Sequence, residues 1–174
     1  MTYTKHQIIR MRDLNEQFYE ILFTNNSLKF IPGSSVTLYN GDRKPLFIAS
    51  GIQEPWARLI LERGKSPNLL PGETSLKLNL EVVNKIPSLI SEDSPNFILT
   101  PSMVSPFFSY ASSFPSTRCK VCYLGENKIS EDWVMANHDI VGVDEIKGYS
   151  SLYVLGDSEA LYEHSGGAKV IYLV

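Results

Sequence analysis

The sequence lacks three features that would each mark a class of protein: a basic cluster, a long apolar run and a set of metal ligands. Its 174 residues carry 16 Lys and Arg against 19 Asp and Glu, a net charge of −3 at pH 7. Proteins that bind nucleic acid concentrate Lys and Arg on one surface to neutralise phosphates. Because no such concentration is visible along the chain, we expect no nucleic-acid partner.

Membrane and secretion signals are also missing. No apolar run approaches the roughly 20 residues that a membrane-spanning helix needs. Residues 1–6, Met-Thr-Tyr-Thr-Lys-His, do not begin the apolar stretch of a signal peptide. These absences predict a protein without membrane insertion, located in the cytoplasm or elsewhere inside the cell, or in the virion if the chain is viral.

Cysteine is scarce, with only Cys119 and Cys122 in the chain. A structural zinc ion takes four ligands, and neither a second cysteine pair nor a histidine cluster accompanies these two. The segment 118–124 has the composition of a strand, on which residues three apart point to opposite faces. We therefore predict two buried or half-buried thiols and no metal site. Redox or metal chemistry at the C-x-x-C pair is the alternative.

What the sequence does contain is a series of short strand patterns. Asn40-Gly41 marks a hairpin turn between the third and fourth strands of the first half, and the last strand alternates apolar and polar residues. Six strands joined by Asn-Gly and Pro-Gly turns predict a small antiparallel barrel. The predicted strands are residues 5–12, 17–24, 34–39, 45–50, 56–63 and 74–83.

The pattern changes near Ile86–Pro95, a polar stretch typical of a domain boundary. Short apolar runs then alternate with helical segments, which predicts a mainly parallel sheet with short helices. We therefore divide the chain into a barrel domain, residues 1–90, and an α/β domain, residues 93–174. In the second half the predicted strands are residues 96–100, 119–124, 139–143, 151–155 and 169–173, and the predicted helices are 102–114 and 158–164.

The order of turns and strands around Asp42–Gly51 resembles a known family. Phe30-Ile-Pro-Gly33 precedes this segment and Leu70-Pro-Gly-Glu73 follows it. In the same order, F-x-P-G-Q, R-P-Y-S-x-A-S and L-x-P-G-D occur in the flavin barrel of the ferredoxin–NADP reductase and flavin reductase family. Phe97–Phe108 stands where that family has a strand, G-G-T-G-x-A-P and a helix, and Leu152–Glu159 resembles its Y-x-x-G-x-x-x-M segment. The resemblance implies a six-stranded antiparallel barrel followed by a reduced, mainly parallel, NAD(P)-domain-like sheet.

The resemblance also implies where a flavin would lie, and there the motif is altered. In the family, the basic residue of R-P-Y-S contacts phosphate, the aromatic residue covers the flavin ring, and the hydroxyl hydrogen-bonds near N5. Here a leucine and a phenylalanine replace the last two, so neither the stacked ring nor that hydrogen bond is supplied. A one-residue shift in register restores only the aromatic ring. The residues of this vestigial flavin site are Arg43, Lys44, Pro45, Leu46, Phe47 and Ser50.

The nucleotide motif is altered as well. Its glycines let the backbone approach a pyrophosphate at a helix N-terminus, whereas this chain has Thr-Pro-Ser-Met over residues 100–103. Pro101 has no N–H to donate, and Met103 adds a side chain where glycine is needed. The residues of this vestigial nucleotide site are Thr100, Ser102, Met103 and Pro106.

Other candidate groups are better explained by structural roles than by chemistry. Adjacent acidic pairs are typical of solvated loops, a serine–histidine pairing lacks a nucleophile elbow, and tryptophans commonly anchor a core or an interface. We therefore predict no catalytic residue and no bound cofactor. The groups in question are Asp144-Glu145, Glu131-Asp132, Ser151 with His164, and Trp56 with Trp133.

The sequence thus favours a reductase-like chain that keeps the fold without the chemistry, because fold alone does not fix function. Such a chain would be a non-catalytic structural or interaction subunit of a larger protein assembly, for instance a viral tail or baseplate or a multi-subunit complex. The alternative is a minimal flavin-dependent oxidoreductase that binds FAD or FMN, since flavins are partly held by backbone N–H groups that substitutions spare. A yellow purified protein would favour the alternative.

Overall fold

The first half of the chain folds into two antiparallel sheets. The computed structural model describes residues 3–25, 28–37, 45–64, 75–79, 82–125, 138–146, 149, 151–156 and 168–173. Its first strands are β1 (Tyr3–Asp13), β2 (Phe18–Thr24), β3 (Ser34–Val36), β4 (Leu46–Phe47), β5 (Trp56–Glu62), β6 (Ser75–Asn79) and β7 (Val83–Asn84). One sheet has the order β5-β2-β1-β6 and the other β4-β3-β7. A bridge between Ile48 and Leu59 connects them, which gives the barrel.

Every second side chain along the strands of the first sheet points into the barrel interior. Ile21 and Phe23 of β2 pair with Leu59 and Ala57 of β5, and all four side chains are fully buried in one apolar cluster. Residues between them point the other way, because neighbours on a strand face opposite sides. The outer face of this sheet therefore carries Phe18, Glu20, Leu22, Trp56, Arg58 and Ile60.

The second half forms a five-stranded sheet whose strand pairings are all parallel. Its strands are β8 (Asn96–Leu99), β9 (Lys120–Tyr123), β10 (Asp139–Ile140), β11 (Leu152–Gly156) and β12 (Val170–Leu173), in the order β10-β9-β8-β11-β12. The helices α1 (Ser105–Ser113) and α2 (Val143–Ile146) belong to the same half. Phe97 and Leu99 of β8 join the apolar cluster of α1, whereas Ile98 joins that of α2. The sheet is thus covered on both faces, as parallel sheets usually are.

The barrel and the parallel sheet share one large apolar cluster. Phe18, Phe47 and Ala49 of the barrel belong to the same buried cluster as Phe97 of β8 and Phe107 of α1. Short 3-10 helices occur at Pro87–Ser91, between the two halves, and at Pro101–Met103, just before α1. The two halves are therefore packed through hydrophobic contacts in addition to their covalent connection.

The loop after β4, residues 50–53, is hydrogen-bonded to the last turns of α1. Ser109 Oγ donates to Ser50 O at 2.8 Å, Ile52 N donates to Ser113 Oγ at 3.0 Å, and Gln53 Nε2 donates to Ser112 O at 2.6 Å. A Cβ atom added at Gly51 would lie 2.8 Å from the backbone C and O atoms of Ser112. Because such a contact is closer than van der Waals packing allows, Gly51 permits this approach of loop and helix. We call residues 50–53 the interface loop.

The predicted fold class is confirmed, an antiparallel barrel followed by a parallel sheet, with three differences in detail. A seventh short strand, Val83–Asn84, closes the second barrel sheet. Val143 was predicted to end a strand but begins the helix α2. The helix predicted over residues 102–114 is divided into the 3-10 turn and α1, because Pro101 and Pro106 each begin a new turn. The predicted turn at Asn40-Gly41 and the helix 158–164 lie outside the described residues, and the domain bounds 1–90 and 93–174 stay a prediction.

Candidate functional site between barrel and sheet

The two central residues of the altered flavin motif point in different directions from β4. Leu46 pairs with Val36 and packs against the barrel cluster, while Phe47 pairs with Ser35 and lies in the cluster shared with the parallel sheet. Phe47 is 8% exposed, and its ring meets that of Tyr172 on β12 edge-on, with 5.4 Å between the ring centroids. The position that resemblance gives to a hydroxyl thus holds a buried ring in contact with another ring.

The contact between Phe47 and Tyr172 leaves no room for a flavin ring between these two side chains. A planar ring between Phe47 and Tyr172 would need about 3.5 Å of clearance on each side. Two rings that touch edge to face leave no such gap, so one of them would have to move. Phe47 also offers no donor or acceptor to a flavin nitrogen. The residues at this position therefore do not fit the flavin by the route that the motif implies.

The remaining flavin-motif residues have structural partners or are exposed. Ser50 is fully buried; its Oγ accepts a hydrogen bond from Arg58 N at 3.2 Å, and its carbonyl accepts the one from Ser109. Pro45 is exposed. Arg43 and Lys44 lie outside the described residues. Ser50 therefore holds the barrel to α1.

The segment that replaces the phosphate loop is a compact 3-10 turn. Thr100 Oγ1 lies 3.2 Å from Ser102 Oγ, and Met103 N donates to Thr100 O at 3.0 Å. Met103 is buried in the shared apolar cluster, and Pro106 is buried in the first turn of α1. The hydroxyls of the turn thus bond to each other, and Met103 belongs to the core.

Close packing around Gly125 fills the space at the carboxyl ends of the central strands. In open parallel sheets, ligands bind at this edge, where the strand order reverses, and here β8 lies between β9 and β11. A Cβ atom at Gly125, just after β9, would lie 2.7 Å from Pro101 Cγ and 2.7 Å from Tyr123 Cε1. The backbone at Gly125 therefore packs directly on Pro101 and Tyr123, and the residues here do not fit a pyrophosphate.

Burial shifts the protonation of the titratable groups near α1. It raises the pKa of the Cys119 thiol to about 12 and the pKa of Tyr123 to about 12. His138 packs edge-on against Phe107 at 5.2 Å, and its Nδ1 accepts a hydrogen bond from Cys119 N at 3.0 Å. Burial is the main cause that lowers the pKa of His138. These shifts favour neutral groups, which suits a core better than a reactive thiolate.

The two cysteines lie on opposite faces of the parallel sheet, as predicted. Cys119 belongs to the cluster on the α1 side and Cys122 to that on the α2 side, and both are buried. Within the described part of the chain, no three His, Cys, Asp or Glu side chains are grouped closely enough to hold a metal ion. No helix among the described residues is both long and apolar enough to span a membrane.

The other residues considered from the sequence do not come together in the described structure. Asp144 and Glu145 are exposed in the first turn of α2. Ser151 Oγ accepts a hydrogen bond from Asn96 Nδ2 at 2.8 Å. Trp56 is 46% exposed, which rules out a core position and leaves the interface alternative. Glu131, Asp132, Trp133 and His164 lie outside the described residues.

Sequence reasoning missed one group of charges. Arg10, Arg12 and Arg58 all contact the carboxylate of Glu20, which is buried on the outer face of the barrel sheet. Two of these arginines alternate with apolar residues in β1, and the third lies almost fifty positions away in β5. A pattern search for strand arginines two residues apart would have found the first two but not the third. Only strand pairing joins them.

Comparison with solved structures gives the chain a ferredoxin-reductase-like fold. Ferredoxin-NADP+ reductase from Plasmodium falciparum matches with a TM-score of 0.67 and 14% identity, over 98% of this chain and 96% of that chain. Phthalate dioxygenase reductase matches with a TM-score of 0.72 and 13% identity, over 98% and 68%. A ferredoxin NADP+ reductase from Neisseria gonorrhoeae with bound FAD and NADP matches with a TM-score of 0.60 and 11% identity, over 94% and 89%. No protein-family model and no curated protein sequence matches the chain.

Proposed function

We propose that this chain is a non-catalytic protein of ferredoxin-reductase-like fold that serves as a binding subunit of a larger protein assembly. The observation that carries the proposal is the edge-on contact between the buried ring of Phe47 and the partly buried ring of Tyr172. In this proposal, the two side chains occupy space beside the position that the resemblance gives to a flavin-orienting hydroxyl. Phenylalanine in place of a hydroxyl residue also removes the hydrogen bond that would orient such a ring.

The nucleotide end of the site supports the same proposal. Pro101 cannot donate a backbone hydrogen bond, Met103 is a core residue, and Gly125 packs on Pro101. A dinucleotide bound through backbone N–H groups would require this turn to unfold. Both ends of the site are thus altered while the fold is kept, and a fold does not by itself carry a given chemistry.

A flavin-dependent oxidoreductase is the second candidate, and the comparisons favour it over the first. The similar structures are named as reductases, and one of them is described with bound FAD and NADP. The likeness extends over nearly the whole chain, and Pro45 and Ser50 of the flavin motif are retained. In this second candidate, the flavin would be held by backbone groups and by residues outside the part of the chain that the structure describes.

An electron-transfer assay decides between the two candidates. Purified protein is supplied with excess FAD and NADPH, or with FMN and NADH, and ferricyanide reduction is followed by absorbance. We expect no reduction above that given by the free flavin. Turnover that depends on protein concentration, and that is lost on heat denaturation, would overturn the non-catalytic proposal in favour of the oxidoreductase.

The assembly part of the proposal has its own test. Untagged chain in lysate of its native host is separated on a density gradient and detected with an antibody. We expect it to sediment with a particle much larger than its own 19.6 kDa, and to return to the free position in a denaturant too weak to unfold it. Sedimentation as a free monomer at native abundance would contradict the assembly role, whatever the outcome of the flavin assay.

A further inference from the structure

A basic surface lies on the outer side of the barrel sheet. Arg10 of β1 and Arg58 of β5 both pair with Leu22 of β2, and Arg12 pairs with Glu20. Residues two apart on a strand share a face, so strand pairing places these side chains on one surface. We call this surface the arginine face, and define it as Arg10, Arg12, Glu20, Leu22, Trp56 and Arg58.

A buried carboxylate organises the arginine face. Glu20 has a side chain only 1% exposed; its oxygens lie 3.1 Å from Arg10 Nη2, 3.3 Å from Arg12 Nη2 and 3.0 Å from Arg58 Nε. A buried charge without such partners would be strongly destabilising. The ion pairs to Glu20 of β2 therefore hold three guanidinium groups, two from β1 and one from β5, in fixed positions.

The face carries an excess of positive charge. Arg58 also lies 3.8 Å from a second carboxylate, that of Glu54. The three arginines of the face, against Glu20 and the adjoining Glu54, give 3 − 2 = +1, on a chain whose net charge is −3. Arg10 and Arg12 are the most accessible of the three arginines, with side chains 49% and 42% exposed, whereas Arg58 is 14% exposed and contacts both glutamates. The excess is therefore presented to solvent by Arg10 and Arg12.

An apolar anchor adjoins these charges. Trp56 precedes Arg58 by two positions on the same face of β5, and it is 46% exposed. Leu22, between Arg58 and Arg10 in the sheet, is partly buried. Tryptophan and arginine are the residues most enriched among those that dominate the energy of protein interfaces. A planar guanidinium also matches the geometry of a carboxylate better than an ammonium does.

We infer that the arginine face binds an acidic segment of a partner protein, whose carboxylates contact Arg10 and Arg12 and whose apolar side chain packs on Trp56. Nucleic acid is the less suitable partner, because its affinity rests on many phosphate contacts and this face has a net charge of only +1 on an acidic chain. The inference uses no residue of the flavin or nucleotide motifs. It therefore holds for either candidate function.

The test uses a defined acidic probe and variants that separate charge from apolar contact. The probe is a fluorescein-labelled peptide, Gly-Glu-Glu-Leu-Glu-Glu-Leu-Gly, followed by fluorescence anisotropy at low salt. We expect the paired change Arg10→Gln with Arg12→Gln, and separately Trp56→Ala, to weaken binding by about fivefold or more. The matched control is Arg118→Gln, since this exposed arginine, two residues before β9, also pairs with one carboxylate, that of Asp139. Its affinity should stay within about twofold.

Further arms keep the result interpretable. Arg10→Lys with Arg12→Lys preserves the charge beside Glu20, so a fold intact by circular dichroism with weaker binding would confirm the role of the guanidinium geometry. A lysine-containing peptide of the same pattern should not bind. The inference is overturned if Arg118→Gln weakens binding as much as the paired change, or if Trp56→Ala has no effect. Tighter binding of a twelve-nucleotide oligothymidylate, or no peptide binding below about 1 mM, would equally overturn it.

Discussion

The ring of Phe47 meets the ring of Tyr172 edge-on, with 5.4 Å between their centroids and 87° between their planes. The two residues come from opposite halves of the chain, one from the barrel and one from the last strand of the parallel sheet. Edge-to-face pairs of this kind stabilise a structure by about 0.5–1.5 kcal/mol beyond the area they bury. The contact joins the two halves at the position where the resembled motif would orient a flavin.

We predict that a larger residue in the interface loop lowers the stability of the protein. Gly51→Ala would place a methyl group 2.8 Å from the backbone of Ser112, and backbone cannot rotate away as a side chain can. Overpacking of this kind costs about 1–3 kcal/mol, so the free energy of unfolding measured in urea should fall by that amount. Gly142→Ala is the matched control, because nothing lies within 4 Å of its added Cβ. Equal effects of the two changes would show that the loop does not hold α1 closely.

We predict that the two buried thiols react slowly with a thiol reagent in the native protein. Both cysteines are buried, and burial raises the pKa of Cys119 to about 12, so almost no reactive thiolate is present at neutral pH. The native protein should therefore react with Ellman's reagent many times more slowly than the urea-unfolded protein, which should release two equivalents of product. Rapid reaction of one native thiol at pH 7 would instead indicate an accessible, activated cysteine.

His138 predicts a loss of stability on the acid side. Burial lowers its pKa in the folded protein below the ordinary value of 6.5, so the unfolded chain binds the proton more readily. The contribution of neutral His138 to the free energy of unfolding is fully present above pH 6.5. It is lost as the pH falls from there through the pKa of the folded state. Protonation would also remove the hydrogen bond that Nδ1 accepts from Cys119 N. Urea unfolding of wild type and His138→Gln from pH 8 to 5 checks this, and the difference between them should shrink or reverse with falling pH. A difference independent of pH would contradict it.

Local patterns predicted most of the fold, because they report which face of an element is buried. Leu76, Leu78 and Leu80 alternate with polar residues in the sequence, and this period of two predicts a strand with one buried face. Val143 was assigned to a strand because a four-residue helix is too short to show its own period. The 3-10 turn at Pro101 was not predicted for a similar reason, because a weak helical pattern continues through it.

The site was less predictable, because it depends on contacts between distant residues. Substitution of Leu46 and Phe47 for the motif's aromatic and hydroxyl residues was visible in the sequence. The partner of Phe47, Tyr172, was not, since nothing local links β4 to β12. The same holds for Glu20 and Arg58, which only strand pairing brings together. Trp56 was expected in a core or an interface, and its exposure leaves the interface.

The central claim is that the substituted site no longer holds a flavin tightly. A missing hydrogen bond to a buried polar atom costs about 1–3 kcal/mol, and a missing aromatic stack about 0.5–1.5 kcal/mol. Because each 1.4 kcal/mol or so is a factor of ten, the two losses together weaken binding by roughly one to three orders of magnitude. Leu46→Tyr with Phe47→Ser supplies both groups and removes the ring that contacts Tyr172, so it should strengthen binding where a cavity then forms.

The most direct measurement is a titration of FAD with the wild-type protein and with this double variant, followed by flavin fluorescence. The account predicts that the wild type binds FAD with a dissociation constant well above about 1 μM, and that the double variant binds no more weakly than the wild type. Submicromolar binding of FAD by the wild type would contradict the account and favour the flavin-dependent alternative.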